Sequence, residues 1–208
     1  MAHAEQFQFV SGVREFLSDY FQSKIILEVG SLDINGSVRD FFTTCQYVGL
    51  DIGEGKSVDI VCPGQDYGER AASFDVIISC ESMEHNAHWR ETWLNMIRLM
   101  RPDGLMIMTC ASPGRRQHGT SEFSPDVSPL TAGAGQDYYR NLVARDFEAI
   151  LAHSAWFARH QFLTDHSHND LLFWGVGLAV AAPVLERADA LRAALDAFYE
   201  QRNTFGRY

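Results

Sequence analysis

Ile25-Ile26-Leu27-Glu28-Val29-Gly30-Ser31-Leu32-Asp33-Ile34-Asn35-Gly36-Ser37 decides how the chain is read. The apolar run Ile25–Val29 carries one acid, Glu28, and breaks at Gly30 into a polar turn. Gly36 and Ser37 lead into Val38-Arg39-Asp40-Phe41-Phe42, whose spacing predicts a helix. The pattern is strand, ligand loop, helix. In an open α/β sheet, ligands sit at the carboxyl ends of strands, where such a loop lies.

Outward from this loop, four more runs are apolar almost throughout. They are Tyr47–Ile52, Val58–Cys62, Phe74–Cys80 and Leu105–Cys110. Such runs, separated by helix-sized stretches, signal a buried parallel sheet. Helical spacing is also present in Phe7–Phe21, which predicts a lead-in helix within residues 1–22, and in Trp89–Met100, Arg145–His153 and Pro183–Arg202. Phe157–Leu163 and Leu171–Ala181 predict a last pair of strands around the polar turn Thr164–Asp170. Ala111–Gln136 is rich in Ser, Pro, Gly and Thr; a connection this long reads as a functional lid or a disordered segment.

The 208 residues suit one domain, and 46% apolar residues are ample for one core. No apolar run approaches the roughly 20 residues needed to span a bilayer. Met1–Phe7 lacks a signal-peptide pattern, so a cytoplasmic protein is expected. Cys45, Cys62, Cys80 and Cys110 are far apart and read as free thiols, with no disulfide set or zinc site. A net charge of −10 argues against nucleic acid as a partner, because phosphate contacts need a basic face.

The loop discriminates between two cofactors. A dinucleotide turn of the form Gly-x-Gly-x-x-Gly needs glycines so that backbone can approach a pyrophosphate. Counting from Gly30, the second and third glycine positions hold Leu32 and Asn35. Glu28 and Asp33 would also face a dianion, and suit a ligand with a positive end instead.

At these residues the sequence resembles the class I S-adenosylmethionine-dependent methyltransferases, in particular the type 11 branch. Glu28-Val29-Gly30 resembles the start of their Glu-x-Gly-x-Gly-x-Gly motif, although Leu32 and Ile34 stand at the later glycine positions. Asp51 matches the acid that binds the ribose hydroxyls, and a carboxylate can accept from two vicinal hydroxyls at once. Cys62-Pro63-Gly64-Gln65-Asp66 matches the loop near the adenine, with Pro63 in the usual place of an acid. Ser79–His85 resembles the segment after strand four, which lies against the methionine and the transferred methyl. Arg101-Pro102-Asp103-Gly104-Leu105 resembles the structural turn before strand five, where Gly104 would permit a positive φ. The resemblance spans Lys24–Cys110 in order and spacing.

It implies a Rossmann-like, doubly wound α/β fold. The sheet would be mostly parallel and seven-stranded, with an antiparallel C-terminal strand and helices on both faces. Residues 1–208 would form one methyltransferase domain, with 111–141 as a substrate-side insertion or lid. The implied cofactor is S-adenosylmethionine, held by Glu28, Gly30, Ser31, Leu32, Asn35, Asp51, Ile52, Gly64, Gln65, Cys80 and Glu81. The implied partner is a small-molecule methyl acceptor, and a homodimer is possible.

If the acceptor is a hydroxyl or amine, a base helps remove its proton. His85 and His118 are the candidates, each with a solvated or capping role as its alternative. No metal site is expected: among His153, His160, His166 and His168 there is no helical ligand pair, and His166-Ser167-His168 with Asp170 reads better as a polar turn. Arg115 and Arg116 could hold an anionic group on the acceptor, or lie in a flexible loop. Asp137-Tyr138-Tyr139-Arg140-Asn141 could wall the acceptor, or start the next helix. Two rival functions are a non-catalytic S-adenosylmethionine-binding module and an NAD(P)-dependent oxidoreductase.

Overall fold

Successive side chains of a strand point to opposite faces of its sheet, so an uninterrupted apolar run needs cover on both sides. In the computed structural model, which describes residues 3–205, this requirement is met by a seven-stranded sheet between two helical layers. The strands are β1 (Ile25–Val29), β2 (Gln46–Asp51), β3 (Ile60–Val61), β4 (Phe74–Cys80), β5 (Met100–Ala111), β6 (Phe157–Asp165) and β7 (Asp170–Gly177). Their order is β3-β2-β1-β4-β5-β7-β6. Strand β7 is antiparallel to both neighbours, and the pairs from β3 through β5 are parallel.

Ile26, Val76, Ile78, Leu105 and Ile107 face one layer. There they meet Phe9, Val10 and Val13 of α1 (Ala4–Phe16) and Leu191 and Leu195 of a later helix, Ala182–Phe205. Their alternates Leu27, Val29, Ile77, Met106 and Met108 face the other layer. Trp89, Trp93 and Met96 of α2 (Trp89–Leu99) cover them, with Phe147. Two short helices and one long one complete the chain order: α3 (Pro129–Gly133), α4 (Ala144–Glu148), which carries Phe147, and the long α5, Ala182–Phe205. Helices therefore lie on both faces.

Several expected elements are reshaped. The helix expected after the Gly30 loop is a single 3₁₀ turn, Val38–Phe41, capped by Ser37. The chain needs only to return to Gln46, and the aromatic pair Phe41 and Phe42 packs against the α1–α5 layer without a longer helix. The expected buried strand Val58–Cys62 contracts to Ile60–Val61, which are 38% and 52% exposed. It is the edge strand, with no helix between Asp51 and Phe74 to cover it.

The Arg101–Gly104 turn is a bulge within β5, where pairing slips between Phe74↔Met100 and Val76↔Leu105. Gly104 is not among the positive-φ residues. It is required by crowding, since a Cβ would lie 2.8 Å from Met100 Cγ and 3.0 Å from the Asp75 carbonyl oxygen. Arg145–His153 shortens to α4 and a 3₁₀ turn, His153–Ala155. The 111–141 segment contains a 3₁₀ turn, Pro125–Val127, and α3.

Candidate functional site

Three strand ends meet around the Gly30 loop. Gly30 has φ +82, and the Gly30 and Ser31 amides both donate to the Leu50 carbonyl at 2.9 Å. A Cβ on Gly30 would lie 2.3 Å from Ser82 Oγ, so a glycine lets the loops after β1 and β4 touch. Asp33 fastens the loop from the other side. Its carboxylate accepts from the Gly36 amide at 2.7 Å and pairs with Lys56 Nζ at 2.6 Å. Asp33 is therefore a loop staple, and its charge does not face the cavity as the sequence suggested.

Asp51 ends β2. Its Oδ2 accepts from the Leu32 amide at 2.9 Å and its Oδ1 from the Ile52 amide at 2.8 Å. Burial raises its pKa, and those two amides oppose the rise. Each carboxylate oxygen keeps a second lone-pair direction. Glu28 is 4% exposed and accepts from Tyr47 Oη at 2.9 Å. Burial pushes its pKa up to about 8, against the Tyr47 hydrogen bond and the Arg39 charge. At neutral pH Glu28 is mainly a neutral acid, so the loop is less negative than its composition indicates.

Glu81 follows β4 with φ +52, a left-handed conformation that costs on the order of 1–2 kcal/mol. Its Oε1 accepts from Thr109 Oγ1 at 2.9 Å, and its Oε2 meets His3 Nε2 at 3.3 Å and Arg115 Nη2 at 3.4 Å. Burial alone would raise its pKa. The His3 hydrogen bond and the His3 and Arg115 charges reverse that and bring it to about 2. Arg115 also reaches Asp170 Oδ1 at 2.5 Å. It is thus held by two buried carboxylates and is not available as an anion clamp. Arg116 is exposed, and its carbonyl accepts from the His118 ring at 2.9 Å and from Tyr139 Oη at 3.2 Å.

These strand ends border a cavity of about 620 Å³. Its wall includes Glu28, Gly30, Ser31, Leu32, Asp51, Ile52, Gly64, Gln65, Cys80 and Glu81, but not Asn35. Ser31 Oγ is buried without a hydrogen-bond partner. Gly64 is fitted closely: a Cβ would lie 2.7 Å from Val29 Cγ1, and its carbonyl accepts from Asn95 Nδ2 at 2.7 Å. Gln65 Oε1 accepts from Thr92 Oγ1 at 3.2 Å. Burial drives the Cys80 thiol far above its ordinary range, so it stays protonated.

Val127–Thr131 and Gln136–Tyr138 form part of the same wall, with Leu130 near Gly53. His85 also reaches the wall, whereas His118 stands behind it with its ring edge-on at 5.0 Å from His85. Tyr139 packs on both rings, at 5.5 and 4.9 Å. Burial, then the His118 ring, lowers the His85 pKa to about 3.

Of the expected wall Asp137–Asn141, only Asp137 and Tyr138 line the cavity. Arg140 pairs with Asp146 at 2.9 Å, and Asn141 donates to the Arg115 carbonyl at 2.9 Å. His168 lies 3.0 Å from Asp170 in the Arg115 network, as part of the polar turn. Sequence reading missed Gln6, Asn86 and His88 at the wall and the His3–Glu81 pair, and gave Val127–Thr131 only as an unnamed part of the 111–141 segment. Only tertiary closure brings residues 3 and 81 together, and no local pattern carries that signal.

No family model matches the sequence, and no curated protein matches it. Solved structures do match. One is the Burkholderia thailandensis 1,6-didemethyltoxoflavin-N1-methyltransferase with bound 1,6-didemethyltoxoflavin and S-adenosylhomocysteine. It has a TM-score of 0.52 and 14% identity, over 85% of this chain and 92% of that one. A second is Haemonchus contortus phosphoethanolamine N-methyltransferase 2 in complex with S-adenosyl-L-methionine. Its TM-score is 0.55 at 15% identity, over 82% of this chain and 52% of that one, so this chain spans about half its length. A third is the Haloferax volcanii putative methyltransferase in complex with the Trm112 activator, with a TM-score of 0.52 and 11% identity over 82% and 90% of the two chains. The chain has the fold of class I methyltransferases.

Proposed function

We propose that this chain, built on the class I methyltransferase fold, is an S-adenosylmethionine-dependent enzyme that methylates a small-molecule acceptor by in-line displacement. The observation that carries the reading is the wall of the cavity at the strand ends. Asp51 presents free lone pairs there, and Ser31 Oγ is buried without a partner. These groups suit the hydroxyls and amines of a nucleoside amino acid. The pyrophosphate reading loses support because the Gly30 loop leads into a single 3₁₀ turn, and a dinucleotide's phosphates need a helix N-terminus.

In this reading Asp51 accepts from the ribose hydroxyls. Gly64 and Gln65 border the base, and Glu28, Gly30, Ser31 and Leu32 hold the amino-acid end, with Asn35 supporting the loop. Ile52 and Cys80 supply apolar wall, and Glu81 anchors the loop after β4. When bound, the cofactor supplies a methyl group on a sulfonium that is already a good leaving group. The chain's task is then to align the acceptor and exclude water. The 111–141 segment acts as the lid, through Val127–Thr131 and Tyr138. His85 on the wall, backed by His118, is kept neutral by its lowered pKa, so its imidazole can accept a hydrogen bond from a hydroxyl or amine acceptor and orient it rather than hold its proton. Among the described residues, no helix is long and apolar enough to cross a membrane.

Isothermal titration calorimetry tests the reading. S-adenosylhomocysteine is expected to bind, and Asp51→Ala to weaken it about 10- to 100-fold, the loss of about 1.4–2.7 kcal/mol of hydrogen bonding. Binding of a nicotinamide dinucleotide without binding of either adenosyl compound would overturn it.

A further inference from the structure

We propose that Glu84, His85 and His118 form a binding site for one divalent transition-metal ion, zinc being the best match, at the cavity wall. One ligand atom from each residue lies within 4.8 Å of the others. Ligand distances of about 2.0–2.2 Å require neighbouring donors to stand roughly 3.3 Å apart around a tetrahedral ion. A small side-chain adjustment therefore closes the set.

The three residues have unused donor capacity where it is costly to leave it. Glu84 is fully buried, and its Oε2 has no hydrogen-bond partner; His85 is 4% exposed, and neither ring nitrogen has one. Buried polar groups are normally paired, so these three unpartnered atoms on adjacent residues form a donor set suited to a cation.

The surrounding contacts orient the ligands as metal sites require. A carbonyl can only accept, so the 2.9 Å contact to the Arg116 oxygen puts the proton on His118 Nδ1. That leaves Nε2 with its lone pair. A ring N–H bound to a backbone carbonyl is the usual second support of a metal-bound histidine. The other Glu84 oxygen, Oε1, accepts from the Ala111 amide at 3.2 Å, which fixes the carboxylate plane. Gly119, at φ +65, lets the chain that carries His118 close on His85, since a Cβ there would lie 2.6 Å from His85 Cε1.

Two imidazoles and one carboxylate suit zinc, iron(II), cobalt or nickel better than calcium or magnesium, which prefer oxygen. Three protein ligands leave one position open, as in sites that bind a reactant. Because His85 reaches the cavity, that position would take an oxygen or nitrogen of the acceptor and ease loss of its proton. This last use, unlike the metal site itself, rests on the methyl-transfer reading. It assigns to a metal the lone pair that His85 would otherwise offer to the acceptor.

The test is direct metal binding by the whole chain after treatment with chelator, without cofactor. One equivalent of cobalt(II) is expected to bind with intense visible absorption of a tetrahedral site, and zinc to displace it. His118→Ala and Glu84→Gln should each weaken cobalt binding at least 10-fold. His168→Asn, which alters the separate His3–Glu5–His168 group, should leave it unchanged. Circular dichroism and S-adenosylhomocysteine binding by His118→Ala report whether the variant is folded. Absence of stoichiometric cobalt binding, or binding unaffected by His118→Ala and Glu84→Gln, overturns the metal site. Metal binding by a chain that takes no adenosyl ligand would leave the site standing and sink the methyl-transfer reading instead.

Discussion

Gly30 and Glu28 show how single residues set the site. At Gly30, a side chain meets two obstacles, a left-handed backbone and Ser82 Oγ at 2.3 Å. Gly30→Ala should cost about 1–2 kcal/mol for the backbone and about 1–3 kcal/mol for overpacking, visible as a lower urea midpoint. Gly30→Ala with Ser82→Gly should regain the overpacking part only; full recovery would show that the backbone is not strained. Glu28 has a folded pKa of about 8 against an ordinary 4.5. The folded state therefore binds the extra proton, and the stabilisation this gives is complete below about pH 4.5. It is lost as pH rises toward 8, by about 1.4 kcal/mol per pH unit within that window. Glu28→Gln cannot lose that proton. The stability of the native chain relative to this variant should fall steadily between pH 5 and 8 in urea titrations, and a constant difference would refute the assignment.

Elements differ in how firmly they are fixed. Strands β1, β4 and β5 are covered on both faces, and Ile26, Leu27, Ile77, Ile78 and Leu105–Met108 are essentially without exposure. The segment carrying Val127–Thr131 is held by contacts such as Leu130 against Gly53, and Leu130 itself is only half-buried. Leu130→Ala should leave thermal stability within about 0.5 kcal/mol. It should weaken adenosyl-ligand binding several-fold, because about 1 kcal/mol of apolar contact is lost from the closed cavity. An unchanged affinity would show that this segment is not a lid. The edge strand β3 is the opposite case. Its exposed Val61 can become lysine at little cost, since edges tolerate charge.

Across the molecule, Arg115 ties the N-terminal helix to the C-terminal strand pair. It sits between Glu81 after β4 and Asp170 at the start of β7, with His3 closing the group. Arg115→Gln leaves two buried carboxylates facing each other, and should cost about 3 kcal/mol at pH 7. Glu81 is held down near 2 in the native chain, so its contribution is present above the ordinary carboxylate range and lost as pH falls. In the variant its pKa climbs, and protonation relieves the repulsion. The difference in Tm between the two proteins should therefore narrow from pH 7 to pH 4; a difference that stays constant would mean that charge is not its source.

The chain itself determined the sheet, its two covered faces and the position of the cavity. Apolar runs report burial locally: Ile25–Val29, Phe74–Cys80 and Leu105–Cys110 each read as strands without knowledge of their neighbours. Ten of the eleven residues singled out for the cofactor do border the cavity, because strand ends and their loops follow one another in order along the chain. The tertiary structure alone decided which charges remain free. Asp33 is neutralised by Lys56, Arg115 by Glu81 and Asp170, and Glu28 is uncharged beside Tyr47. It also decided that His85 and His118, 33 residues apart in sequence, share one cluster with Glu84. Electrostatic state depends on burial and on partners distant along the chain, and neither is written in the spacing of residues.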